Sequence, residues 1–281
     1  MTNRRASVRK RHIFIFIIAF ALCGPLFAVP DTKGTEFWVA IPRIFSGAPV
    51  YIYIYITSDN GASGNVTSAN PVFSWDFSVA ANGVTKIPIP SDSQLFDGDT
   101  IENKGIHITA TDDISVYMFN NAFAAADGYT ALPVDSLGTK HDVMTYICKA
   151  PQFAIVAVED STSVTFTATA DIASKSAGIQ YNIFMNRGET YLYGDNILDF
   201  GSDDRDFSGS TILSDKPIGV TVSGPTLIPI SIMAANHVVE QLPPTITWGR
   251  EFLSMPFAAR ANGDTFRFMA KEDNTTIWIN G

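Results

Sequence analysis

The sequence predicts an all-β protein made of tandem units. Strand-type runs dominate the chain, no window of useful length spaces its apolar residues as an amphipathic helix would, and the order of runs and turns repeats. The runs FWVAIP, VYIYIYIT, VTKIPIP, IHITAT, ISVYMF, FAIVAV, SVTFTAT, QYNIFM, IGVTVS, TFRFMA and TIWI are short and rich in β-branched and aromatic residues. Each is bounded by Gly, Pro, Asn, Asp or Ser, the punctuation of strands and turns. The best helix candidate, IMAANHVVEQL, is brief.

Three Pro-then-Gly openings, VPDTKG, LPVDSLG and LPPTITWG, each precede strand runs that end at a turn aspartate. Gly34 leads to Asp59, Gly138 to Asp160 and Gly249 to Asp273, and EFWVAIP and EFLSMPF follow the first and third glycines almost in register. Further on, NGVTKIPI aligns with RGETYLYG, setting Gly83 with Gly188 and Thr85 with Thr190. GIHITATDDISVYM aligns with GSTILSDKPIGVTV across a one-residue gap that sets Asp112 with Asp215. The unit is roughly 105–110 residues, the size of one sandwich domain. The expected organisation is a first β unit at 29–135, a second at 136–241 and the start of a third, truncated, at 242–281. Tandem antiparallel β-sandwich-like units are the expected architecture. A β-propeller or solenoid-like arrangement stays open, because a period does not reveal strand pairing between units.

Residues 1–28 read as a secretory signal peptide. Arg4, Arg5, Arg9, Lys10 and Arg11 make its start basic, IFIFIIAFAL is its apolar run, and CGPLFA its small-residue exit, with the cut expected after Ala28. The run is short for a spanning helix, and no later segment is long and apolar enough to span a bilayer. About 250 residues then remain, ample for a large core. The net charge of −9 argues against nucleic acid and anionic membranes as partners. Cys148 is the only cysteine after that cut, so an internal disulfide is excluded. Its strand-like context predicts a buried, inert thiol, with intermolecular pairing as the alternative.

The run VYIYIYIT separates two faces. Counting back from the turn aspartates, one face reads Ile56, Ile54, Ile52, then Ala157, Ile155, Phe153, then Ala270, Phe268, Phe266. It is apolar every time and is the expected core face. The other reads Tyr55, Tyr53, Tyr51, then Val156, Ala154, Gln152, then Met269, Arg267, Thr265, and drifts from apolar to charged. Tyr51, Tyr53 and Tyr55 therefore lie on a partly exposed face. Two readings follow: a half-covered sheet face stiffened by cross-strand ring contacts, or a contact face for sugar or protein, since tyrosine offers flat area with a polar tip.

Catalytic signatures are lacking. No Gly-x-Ser-x-Gly, His-Glu-x-x-His or nucleophile elbow occurs, and Cys148 has no activating pattern, so no enzyme is expected. His237 and Glu240 would meet only across a helical turn, as a structural pair. Two acidic clusters, Asp97 and Asp99 in FDGDT and Asp203, Asp204 and Asp206 in GSDDRDFSG, are the candidate calcium ligands. Neither has the spacing of an EF-hand loop, so a solvated acidic loop is the competing reading and no cofactor is required.

As an ordered set, GTEFWVAIP, GIHITATDDISVY, GYTALPVDSLG, VAVEDSTSVTF, SGSTILSDKPIGV, NHVVEQLPPTITWG and AKEDNTTIWING resemble the N-terminal domain of the IgG Fc-binding protein family. The resemblance runs from about Gly34 to the last residue, and EQLPP followed by WG is its sharpest part. It implies an extracellular β-rich module, found in animals at the head of a mucus glycoprotein and in bacteria in exported surface proteins. The basic start and the lack of cysteine pairs look bacterial. Animal members look cysteine-bearing just before NHVVEQLPP, whereas this chain reads GPTLIPISIMAA there, and no residue can be matched to an Fc site. The resulting expectation is a secreted or cell-surface adhesion module that recognises an extracellular glycoprotein, mucin or matrix component. A structural spacer of a larger surface protein is the alternative.

Overall fold

The computed structural model describes residues 31–44, 49–122, 125–195, 204–227, 236–255, 258, 264 and 266–279. The expected signal peptide, Asp203 and Thr265 lie outside them.

The first repeat supplies β1 (Lys33–Val39), β2 (Ile41–Pro42), β3 (Val50–Ser58), β4 (Ala62–Ala69), β5 (Val72–Val79), β6 (Gly83–Ile89), β7 (Gln94–Leu95), β8 (Ile101–Glu102), β9 (Ile106–Ala122) and β10 (Ala125–Thr130). The second supplies β11 (Gly138–Asp142), β12 (Gln152–Ala157), β13 (Thr162–Thr167), β14 (Gln180–Met185), β15 (Thr190–Tyr193), β16 (Thr211–Leu227) and β17 (Asn236–Gln241). The long strand organises each repeat. The first half of β9 runs between β1 and β4, with Ile108 opposite Phe37 and Val66. Its second half runs between β3 and β10, with Met118 opposite Ile54 and Tyr129. A strand that changes neighbours midway folds its sheet over on itself, giving a nearly closed, barrel-like layer around one core. Ile52, Ile54, Ile56, Ile108, Val116 and Met118 line that core.

The second sheet repeats the plan. β16 runs first between β11 and β13, then between β12 and β17. Its core gathers Phe153, Phe166, Tyr191, Tyr193 and Phe207, with Phe153 stacked on Tyr193 at 4.8 Å. The fold is thus all-β, with one large sheet centred on each of the first two repeats and a small parallel β2–β7 sheet.

The register corrects two alignments. β9 and β16 are both 17 residues long and need no gap. Ile108 matches Ile212 and Met118 matches Val222, so Thr111, not Asp112, matches Asp215. Both side chains do the same work: Ser63 N–H donates to Thr111 Oγ1 at 3.1 Å, and Ser163 N–H to Asp215 Oδ1 at 2.8 Å. In β6, Ile87 faces Ile54 as Tyr193 faces Phe153, which puts Thr85 with Tyr191 rather than Thr190. The identical turn glycines had drawn the alignment one residue off. The helix candidate is also overturned over its described part, since Asn236–Gln241 is β17. Its buried His237, Val239 and Gln241 alternate with period two, and pairing with β16 supplies the backbone hydrogen bonds.

The repeats are tied together, and Asp31–Gly281 is one compact body. β8 leaves the first repeat to pair with β15 at the edge of the second sheet. β10 and β17 lie side by side, joined by Val239 N–H to Asp127 Oδ2 at 2.9 Å and Leu132 N–H to Gln241 Oε1 at 2.8 Å. Gly34 lies so close to Pro133 that a Cβ would stand 2.5 Å from the proline Cβ, and Gly138 meets Pro244 at the same 2.5 Å. The glycine of each of the first two openings therefore packs on a proline of the opening that follows.

Candidate functional site

The tyrosine run forms the outward face of β3, as alternation requires. Tyr53 pairs with Phe119 and Tyr55 with Tyr117 on β9, while Lys86 stands opposite Tyr55 on β6. The rings touch: Tyr53 and Tyr55 centroids are 6.3 Å apart, and Tyr55 meets Phe119 edge-on at 6.4 Å. Lys86 Nζ sits 3.6 Å from the Tyr53 ring centroid, a cation–π contact that fixes the ring and leaves a charge on the surface. Tyr51 is 55% exposed and Tyr117 40% exposed, and Tyr53, Tyr55 and Phe119 are half-buried. Sequence reading missed Tyr117, Phe119 and Lys86 as members of this face. Their own alternation was visible in ISVYMF and VTKIPIP, but which strands flank β3 was not.

The same face of the second repeat has a different fate. Tyr53, Tyr55, Tyr117 and Phe119 become Gln152, Ala154, Thr221 and Ser223 by register. Ala154, Val156 and Leu192 are buried in one apolar cluster with Trp38, Ala40 and Leu95 of the first repeat. Small residues let the preceding repeat approach closely. A Cβ on Gly219 would stand 2.8 Å from Val156 Cγ1 and 3.5 Å from the Trp38 carbonyl oxygen. The first repeat thus covers, in the second, the face that in itself is aromatic and open.

Arg267, which stands six places before its turn aspartate as Tyr53 does, stays exposed but is held by the second repeat. Its guanidinium lies 5.2 Å from the Tyr146 ring and 3.1 Å from Asp206 Oδ2, and it donates to the Thr145 carbonyl. With Met144 and Glu240 it lines a groove of about 310 Å³. Burial, with the charge of Asp127 beside it, pushes Glu240 up to about 7.

The acidic clusters are engaged by the protein itself. Asp99 lies 2.7 Å from Lys175 Nζ and accepts from the Tyr191 hydroxyl at 2.7 Å. Burial opposes its charge, yet the hydrogen bonds from Lys175, Ser174 and Tyr191 win and hold it below the ordinary carboxylate range. Asp206 accepts from Thr145 Oγ1 at 2.8 Å and from Ser208 N–H at 2.9 Å, and Asp204 pairs with Lys149 at 3.3 Å. Asp97 is exposed. Among the described residues, no three His, Cys, Asp or Glu side chains converge to hold a metal ion.

His237 and Glu240 do not meet, because residues three apart on a strand point to opposite faces. His107 Nε2 lies 2.9 Å from Glu36 and its ring stacks on Trp38 at 4.1 Å. Cys148 is buried and free, and burial, reinforced by Asp204 and Asp206, pushes its thiol up to about 12. A thiol reagent in excess is therefore expected to label the native chain at least about a hundredfold more slowly than the urea-unfolded chain, since only thiolate attacks. Equal rates would mean that Cys148 is accessible.

Residues 127–281, more than half of the chain, match the family described as IgGFc binding protein. The chain belongs to the IgGFc-binding family. The family match takes in most of β10, the whole second repeat and the residues after it, so Asp204, Asp206 and Arg267 lie inside it. Tyr51, Tyr53, Tyr55, Tyr117 and Phe119 lie before it. The first repeat carries the strand order of its IgGFc-binding neighbour with an aromatic outward face of its own. No curated protein and no solved structure matches the chain. Among the described residues, no helix is long and apolar enough to cross a membrane.

Proposed function

We propose that this IgGFc-binding family member is an exported, non-catalytic recognition module that binds an extracellular glycoprotein, mucin or matrix component through Tyr51, Tyr53, Tyr55, Tyr117 and Phe119. One observation carries the reading: these rings form a contiguous, partly exposed face where the second repeat has small, covered residues. Stacked tyrosines offer rigid area at low entropic cost and hydroxyls that hydrogen-bond sugars or peptide. Lys86 adds a single positive charge to the face. The basic and apolar start supports export.

The test is a glycan and mucin screen with residues 29–281, with and without calcium, beside a Tyr51→Ser/Tyr53→Ser/Tyr55→Ser variant. Binding is expected to fall by about tenfold or more in the variant, with an unchanged circular dichroism spectrum and no calcium dependence. If neither protein binds, the second reading is favoured, a structural spacer. The interlocked contacts of Gly34 with Pro133 and Gly138 with Pro244 support that alternative.

A further inference from the structure

We infer that the aromatic face of the first repeat selects a singly charged acidic sugar, with Lys86 as the residue that meets the negative charge. This rests on the recognition reading above and names the chemical class of its ligand.

The charge on this face runs against that of the chain. The sequence holds 28 aspartates and glutamates against 19 lysines and arginines. Yet the strand partners of Tyr51, Tyr53 and Tyr55 are Lys86 and Pro88 on β6 and Tyr117, Phe119 and Asn121 on β9, with no carboxylate among them. Lys86 is the single charged member of the set, and it is exposed.

The setting of Lys86 also differs from that of other lysines. Lys33, Lys104 and Lys175 each meet a carboxylate oxygen at 2.7 Å or less. Lys86 Nζ instead lies 3.6 Å from the Tyr53 ring centroid and 5.7 Å from that of Tyr55. A ring face holds an ammonium through its quadrupole but does not neutralise it. Positive potential therefore persists at the surface, beside tyrosine hydroxyls that can donate to an anion. The second repeat loses the cation together with the rings, since Leu192 stands at the place of Lys86 and is buried.

Rings and cation together ask two things of one ligand. The flat aromatic area takes the apolar face of a sugar ring. The ammonium takes a carboxylate or a sulfate ester. One cation also limits the charge, because a chain at −9 repels a densely charged polyanion. A sugar with one acid group among neutral units meets both demands. A face with a cation and no carboxylate also disfavours amine-bearing ligands, which is selection by repulsion.

Equilibrium binding of residues 29–281 to immobilised lactose, sialyllactose, sulfolactose and heparin tests this. At least one of the two singly charged sugars is expected to bind about fivefold to tenfold tighter than lactose, the range of an exposed charge-assisted contact. The two separate carboxylate from sulfate as the source of the charge. The preference should shrink on going from ~0.05 M to ~0.5 M salt, because the contact is open to screening. Lys86→Gln should cut it to about twofold or less, and Lys86→Arg should keep it, both with an unchanged circular dichroism spectrum. A preference that survives Lys86→Gln overturns the inference, as does tightest binding to heparin. If lactose and the charged sugars bind alike and Tyr51→Ser/Tyr53→Ser/Tyr55→Ser loses them all, charge selection fails and the recognition reading stands. If neither these probes nor mucin bind, the recognition reading fails and this inference falls with it.

Discussion

Lowering the pH from 6.5 towards 4 is expected to strip most of the stability from this protein. His141 and His237 are both buried, and burial lowers each to about 4 from an ordinary value of 6.5. The unfolded chain therefore takes up protons at these sites before the folded chain does. Their contribution is fully present above pH 6.5 and is lost as the pH falls towards 4. Each shift corresponds to about 3 kcal/mol, so the pair amounts to a large share of a typical domain's stability of about 5–15 kcal/mol. Glu240 works in the opposite direction. Its raised value makes the folded state favour the protonated form, so its term improves on acidification, but its partial exposure keeps that term the smaller one. Urea midpoints measured from pH 7.5 to 4 read the slope. His141 has a built-in control, because the first repeat has Phe37 at the same place, and neither ring nitrogen of His141 has a hydrogen-bond partner. His141→Phe is expected to raise stability at neutral pH by about 1–3 kcal/mol and to remove about half of the acid slope. An unchanged slope in that variant would show that other groups control acid unfolding.

The histidines also mark the limits of sequence reading. Strand type and turn position follow from alternation and from the turn residues, and both survive into the structure. The apolar face of β3 was legible because Ile52, Ile54 and Ile56 recur as Phe153 and Ile155 one repeat later. Strand neighbours were not legible, because pairing is a long-range property that leaves no mark in a period. For that reason Tyr117, Phe119 and Lys86 could not be joined to the tyrosine run. His141 could have been found by aligning the openings GTEFWV and GTKHDV, which place it with Phe37. NHVVEQ read as helical only because six residues are too few to separate a helical from a strand period.

A pair of opposite substitutions at one repeat position should separate a covered face from an open one. Ala154→Tyr gives the second repeat the residue that the first has at Tyr55. Ala154 is fully buried, in the cluster that also holds Trp38, Leu95 and Leu137. A phenol ring there displaces the preceding repeat or forces apart a packed layer. The expected loss is about 3 kcal/mol or more, at the upper end of overpacking costs, with the denaturant slope falling if the two repeats begin to unfold separately. Tyr55→Ala makes the reverse change on the open face. It removes contacts with Tyr53 and Phe119 but leaves no closed cavity, so about 1 kcal/mol or less is expected. The asymmetry reports which repeat is covered, independently of any ligand. Equal costs at the two positions would mean that the tyrosines are themselves covered in solution. A large cost at Tyr55 that appears only at high protein concentration would trace that cover to a second molecule, because a contact between copies stabilises by mass action.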